Sequence, residues 1–232
     1  MDRNQIALSW HRIDSVLLDM DGTLLDLSFD NHFWLEFVPR RYAQRHGLTL
    51  GEAEQELLPR FDALRGKLAW YCLDYWSREL GLDLSRLKTE VAGLIRVLPQ
   101  VTDFLEAVRH AGKSLWLVTN AHPDTLALKL ERTRLRIFFD HIVCSHHYGH
   151  PKEDQRFWQR LQRERPLVPE RALMIDDSVA VLEAAAAFGI AHLVAVTRPD
   201  SRLPPRPIDG FPAVESLGDL SPPAPKMLEI QR

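Results

Sequence analysis

Apolar residues in this chain come in short runs separated by longer amphipathic stretches, and that alternation gives the first information about its fold. Residues 15–19 (SVLLD) are a short apolar run ending in an acid, the pattern of a buried strand. Four similar runs follow at 114–119 (SLWLVT), 142–145 (IVCS), 172–176 (ALMID) and 192–197 (HLVAVT). Helical periodicity separates the later runs. Residues 102–111 stop at Gly112, 124–134 and 152–165 are amphipathic, and the Ala-rich stretch 178–188 stops at Gly189. Strands alternating with helices of this length predict an α/β fold, a Rossmann-like parallel sheet covered on both faces.

The alternation breaks once. Between residues 29 and 98 helix follows helix with no clear strand. Residues 29–46 stop at Gly47, Thr49 and Glu52 have capping-box spacing, 68–80 stop at Gly81, and 85–95 precede Pro99. The expected organisation is a core of residues 1–27 and 99–232 with a helical cap, 28–98, inserted after the first strand. Eight of the 15 prolines lie after Arg198, and SRLPPRP (201–207) and PPAP (222–225) exclude regular structure. This region is expected as extended segments laid on the core or as a loose tail.

Composition adds exclusions. In 232 residues, 29 basic and 32 acidic side chains leave a net charge of −3, which gives no reason to expect a nucleic-acid polymer or an anionic membrane as partner. Cys72 and Cys144 are far apart and outside any CxxC pair, arguing against a disulfide framework and for a reducing compartment. Residues 1–14 lack the apolar core of a signal peptide, and no apolar run approaches a membrane span. A soluble cytoplasmic protein is expected; its oligomeric state is left open.

The candidate chemistry lies at strand ends. Asp19-Met20-Asp21-Gly22-Thr23-Leu24 follows the first strand directly. A turn alone would explain Asp and Gly there. In an open parallel sheet, however, ligands bind beyond the carboxyl ends of the strands, and two acids separated by one residue repel each other unless a hard cation sits between them. Thr119-Asn120 ends the second strand, where a hydroxyl suits a phosphate oxygen and a helix N-cap is the plain alternative. Lys152, after Pro151, reads as the first turn of a helix, where the dipole disfavours a cation unless it reaches back to an anion. Asp176-Asp177-Ser178 ends the fourth strand and brings a second acidic pair, with Ser178 better read as a helix cap.

DxDGT, then a hydroxyl after the next strand, then Lys, then DD, in this order, resembles the four motifs of the haloacid-dehalogenase-like (HAD) hydrolases. The resemblance implies the HAD fold and a Mg²⁺-dependent phosphatase. It implies that Asp19 attacks phosphorus and that Asp21 protonates the leaving oxygen and then activates water. It further implies that Mg²⁺ is held by Asp19, the Asp21 carbonyl and Asp177, with Asp176 either another metal contact or a group orienting the others, and that Thr119 and Lys152 hold the phosphate, with backbone donors near Gly22 and Asn120. Asp21 also separates phosphate chemistry from dehalogenation, which needs no protonated leaving group.

A narrower resemblance rests on WYCLDYWS (70–77), LVTNAHP (117–123), PKEDQR (151–156) and IDDS (175–178), which are similar to the bacterial GMP/IMP-specific 5′-nucleotidases of that superfamily. It implies a small-molecule purine nucleotide as substrate. Tyr71 and Tyr75, four residues apart, are expected on one helix face, and with Trp70, Trp76 and Trp34 they offer rings for a base, or else a core for the cap. Asp30 and Asn31 touch substrate or form a turn. His146, His147 and His150 read as solvated loop residues in preference to a zinc site, because the proposed metal site is all-oxygen. Alternatives are a sugar-phosphate or phosphoglycolate phosphatase, a phosphomutase, a phospho-accepting signalling receiver, or a non-catalytic binding module.

Overall fold

The computed structural model describes residues 8–220 together with Ile6 and Pro222. Its centre is a six-stranded parallel sheet in the order β3-β2-β1-β4-β5-β6. The strands are β1 (Ser15–Leu18), β2 (Ser114–Thr119), β3 (His141–Cys144), β4 (Ala172–Asp176), β5 (His192–Val196) and β6 (Ala213–Val214). Side chains alternate across a strand, so each apolar run feeds both faces. Leu18, Leu117 and Ile175 pack on one face with Phe104 and Leu105, whereas Leu17, Trp116 and Met174 pack on the other with Phe157, Trp158 and Leu182.

The helices are α1 (Ser28–His32), α2 (Val38–His46), α3 (Leu50–Asp62), α4 (Leu73–Leu80), α5 (Leu84–Glu90), α6 (Val101–His110), α7 (Pro123–Thr133), α8 (Ser145–Tyr148), α9 (Gln155–Glu164) and α10 (Val179–Phe188). α1 to α5 all lie between β1 and β2 in sequence; α2 to α5, with the π-helical turn Phe33–Phe37, share their own apolar cluster, including Phe33, Leu57, Phe61 and Trp76, whereas Phe29 of α1 packs with the sheet core. The Thr49–Glu52 capping box forms as the spacing predicts, with Thr49 Oγ1 accepting from Glu52 N and the Glu52 carboxylate accepting from Thr49 N. Gly47, Gly81 and Gly189 follow their helices in the left-handed conformation.

Two sequence expectations change here, and a third is decided between its two alternatives. The helix expected over 68–80 is interrupted: Leu68–Tyr71 is a single 3₁₀ turn, Cys72 is extended, and α4 begins at Leu73. Tyr71 and Tyr75 therefore do not share a helix face. The helix expected from Lys152 begins at Gln155, because Asp154 takes the N-cap and accepts from Arg156 N at 2.8 Å. The Pro-rich region is laid on the core: β6 pairs with β5, and Leu27 N donates to the Pro199 carbonyl at 2.9 Å. Of the PPAP stretch, only Pro222 falls among the described residues.

Candidate active site

Sheet register brings the motif residues to one edge. Leu18 pairs with Leu117 on one side and Ile175 on the other, so Asp19, Val118 and Asp176 come next at adjoining levels. Asp19 N still donates to the Ile175 carbonyl at 3.0 Å. The chain then turns sharply, with Leu24 and Leu25 N–H groups both bonded to the Met20 carbonyl. Gly22 sits in this turn at φ 88°, and a Cβ there would lie 2.8 Å from both Asp177 Cγ and Pro199 Cβ. Glycine is needed for the backbone conformation and for the close approach of Asp177.

Lys152, 2 % exposed, joins the strand ends. Its Nζ donates to Asp19 Oδ1, to Asp176 Oδ2 at 2.7 Å and to the Val118 carbonyl at 3.1 Å, which uses all three of its donors. A turn before α9 aims it, not a helical first turn. Lys152 N donates to Asn120 Oδ1 at 2.9 Å and the Lys152 carbonyl accepts from Trp158 Nε1 at 2.7 Å. Thr119 Oγ1 accepts from Ala121 N at 3.0 Å, leaving its own proton for an acceptor in the cavity. Ser178 occupies the N-cap position of α10 but its side chain makes no capping bond. Its N–H instead donates to Asp176 Oδ1 at 2.8 Å.

Asp19, Asp176 and Asp177 each offer an oxygen within 4.8 Å of the others. Burial raises Asp19 to about 6, with Lys152 opposing and Asp176 adding repulsion. Burial, Asp176 and Asp19 push Asp177 well up, against Arg206. Burial works against the Lys152 ammonium, but Asp176 and Asp19 outweigh it and raise its value.

Sequence reading missed a second cluster. Lys129 on α7, 1 % exposed, contacts Asp21 Oδ1 and Asp30 Oδ2, each at 2.5 Å. Lys88 on α5 is 2.9 Å from Asp30 Oδ1 and 3.5 Å from Thr125 Oγ1. Burial raises Asp21 to about 6 despite Lys129. In Asp30 burial is outweighed by Lys129 and Lys88, which bring the carboxyl down to about 2. The signal was present as helical phase: Lys129 lies four residues after buried Thr125, and Lys88 four after buried Leu84. A cation on the apolar phase of a helix needs a buried acid. Glu153 and Arg206 were also missed. Glu153 accepts from Tyr71 Oη at 2.6 Å and Asn120 Nδ2 at 2.9 Å, and Arg206 from the Pro-rich segment bonds the Asp177 carbonyl.

A cavity of about 340 Å³ opens over these groups. Asp19, Asp21, Thr119, Asn120, Lys152, Asp176 and Asp177 all line it, as do Asp30 and Asn31. Asn31 Nδ2 donates to Asp200 Oδ2 at 2.8 Å. Of the aromatic candidates, Trp34, Trp70 and Tyr71 line the cavity, whereas Trp76 is buried in the apolar cluster of α2 to α5 with Tyr75 against its edge. The histidines are not all solvated loop residues. His146 and His147 lie on α8, and both His146 ring nitrogens are buried without a partner among the described residues. His147 is exposed, and His150 Nδ1 lies 3.7 Å from Asp154.

The model of the haloacid dehalogenase-like hydrolase family matches residues 13–189, which include Asp19, Asp21, Thr119, Lys152, Asp176 and Asp177. The chain belongs to this family. This hydrolase is 43 % identical to the GMP/IMP nucleotidase of Escherichia coli strain K12, over 94 % of its own length and 98 % of the relative's. It is 27 % identical to a phosphorylated carbohydrates phosphatase of Thermotoga maritima, over 79 % of its length and 85 % of that protein's. Among solved structures it resembles a HAD phosphatase from Thermococcus onnurineus with a TM-score of 0.77 and 22 % identity, covering 90 % of this chain and 96 % of that one. That last likeness concerns fold alone. Among its described residues, no helix is long and apolar enough to cross a membrane.

Proposed function

We propose that this hydrolase is a Mg²⁺-dependent phosphatase of purine nucleoside 5′-monophosphates, GMP and IMP, working through an aspartyl-phosphate on Asp19. The observation that carries the chemistry is the three-carboxylate cluster of Asp19, Asp176 and Asp177 beside the fully engaged Lys152. The substrate class is supported by the 43 % identity to the E. coli nucleotidase and by the rings of Trp34, Trp70 and Tyr71 around the cavity. We further propose that residues 28–98 act as a cap that selects the substrate.

The donor set fits a hard cation. Every candidate ligand is an oxygen, and the raised values of Asp19 and Asp177 register mutual repulsion that a cation would relieve. Asp19, Asp177 and the Asp21 carbonyl would hold it. Both Asp176 oxygens already accept bonds, from Lys152 and Ser178 N, which favours Asp176 as the residue that aims Lys152. A bound Mg²⁺ supplies charge neutralisation for the phosphoryl oxygens and keeps Asp19 ionised beside an incoming anion.

The chain's own residues do the rest. An Asp19 carboxylate oxygen attacks phosphorus, and the ester P–O bond breaks with its electron pair on the ribose oxygen. That oxygen takes a proton from the Asp21 carboxyl. Water then attacks the phosphorus of the aspartyl-phosphate and gives its proton to Asp21, releasing phosphate and restoring Asp19. The Thr119 hydroxyl donates to a non-bridging oxygen, and Lys152, exchanging one of its three present acceptors for the substrate, holds another, where transition-state charge spreads.

The test is a panel of monophosphates with purified protein and Mg²⁺. GMP and IMP are expected to be turned over well ahead of pyrimidine nucleotides, sugar phosphates and phosphoglycolate, and equal turnover across the panel would overturn the substrate reading. EDTA should abolish activity and Mg²⁺ restore it. Asp19→Asn should lose more than about a thousand-fold in kcat while melting as a folded protein, because it lacks the nucleophile. An active Asp19→Asn enzyme sinks the mechanism.

A further inference from the structure

We propose that Lys129 is a positioning residue for leaving-group protonation: clamped by Asp30 and Lys88, it fixes the direction in which Asp21 presents its carboxyl group. This inference rests on the phosphatase reading above, in which Asp21 delivers the proton.

Among the described residues, Lys129 is the one side chain that bonds the Asp21 carboxyl, at 2.5 Å. Its second bond, also 2.5 Å, goes to Asp30, and its ammonium lies 5.2 Å from the Phe29 ring centroid. Asp30 is in turn held by Lys88 at 2.9 Å, and Lys88 sits over Phe33 at 5.0 Å. Charge alternates along this chain: Asp21, Lys129, Asp30, Lys88. Asp30 sits at the start of α1 and Lys88 on α5, both in the helical block, whereas Lys129 is on α7. The two ends thus anchor in different parts of the molecule, and Asp21 is where the chain meets the cavity.

A buried ion-pair chain is a poor way to gain stability, since apolar side chains of similar volume usually do as well. It is an effective way to fix direction. Lys129 cannot swing without leaving Asp30 Oδ2 without its donor in a buried site, and Asp21 cannot turn without leaving Lys129. A carboxyl so held needs no reorganisation when the ester oxygen develops charge.

Proton delivery matters for an alkyl ester, whose alkoxide is a poor leaving group, and much less for p-nitrophenyl phosphate, whose phenolate leaves unaided. In a double displacement kcat/KM reports only the steps through the first P–O cleavage, so slow hydrolysis of the aspartyl-phosphate does not blur the comparison. For Lys129→Met, kcat/KM on IMP is expected to fall about a hundred-fold, in the range of lost general acid catalysis, and on p-nitrophenyl phosphate less than about ten-fold. Lys129→Arg, which keeps a cation between the two acids, should recover part of the IMP activity. Asp30→Asn, which frees Lys129 while keeping Lys129 itself, should show the same ester-selective loss in smaller size and serves if the methionine variant does not fold. A loss of equal size on both esters, or no loss on IMP, in whichever variant folds overturns the proposal. Wild-type turnover reports separately on the nucleotidase reading. If another alkyl phosphate proves to be the substrate, it replaces IMP and the comparison stands.

Discussion

Residues that carry charge at the sheet edge were legible where they form a motif and hidden where they do not. Asp19, Asp21, Asp176 and Asp177 announce themselves because paired acids after apolar runs are hard to explain otherwise. Lys129 and Lys88 carry no such label, and only their helical phase marks them. His146 was misread for a related reason: the sequence shows three histidines in five residues but not that one packs inward against His122, with ring centroids 5.2 Å apart. Burial, and then His122 and His147, bring His146 down to about 4. The folded value lies below the ordinary one of about 6.5, so as pH falls the unfolded chain takes up the proton first. His146 therefore costs no stability above about pH 6.5 and a growing amount as pH falls from there toward 4. His146→Leu, which leaves no unpaired nitrogen behind, is expected to lose less stability than wild type between pH 7 and pH 5 in urea unfolding. Equal losses in the two proteins would refute this.

Elements were read well by periodicity and less well where breaks are local. Hydrophobic phase and terminal glycines located the first five strands and most helices, because those signals are set by the chain within a few residues, whereas the two-residue β6 is too short to show a pattern. The 68–80 stretch failed because an extended Cys72 interrupts an otherwise helical pattern, and that break decides which rings reach the cavity. Before the break, Trp70 and Tyr71 line it; after the break, Trp76 packs inward. The two tryptophans should therefore respond differently to truncation. Trp70→Ala is expected to raise KM for a purine nucleotide about ten-fold with kcat little changed, the loss of a stacking surface. Trp76→Ala should cost about 3–5 kcal/mol in denaturant unfolding, the loss of a fully buried ring. Steady-state kinetics and unfolding curves on both variants separate the roles. A Trp70→Ala enzyme with unaltered KM would remove Trp70 from substrate binding.

At the scale of the whole molecule, the α/β architecture followed from alternation, but the course of the Pro-rich region did not. Proline excludes regular structure without saying where the chain goes. Here it runs back across the root of the helical block. Asp26 accepts from Ser201 N at 3.1 Å, Asp200 accepts from Asn31 and Arg202, and Arg206 reaches Asp177. Asp200 is 2 % exposed, so Asp200→Ala removes a buried acceptor from several donors at once. The expected cost is about 1–3 kcal/mol. Faster cleavage within 198–212 by a nonspecific protease should accompany it, and an unchanged cleavage rate would show that the segment is held elsewhere.

The sheet order has a consequence for the order in which the protein can be made. β1 lies between β2 and β4, and Ser15 pairs with both Ser114 and Ala172. During synthesis β1 leaves the ribosome early and waits for two partners about a hundred and more than a hundred and fifty residues behind it. The helical segment in between makes mostly local contacts and can condense first. Asp19 and Asp176 then meet only when β4 docks, so the repulsive acids are brought together late, after the helical segment and β2 can already hold Asp19 in place.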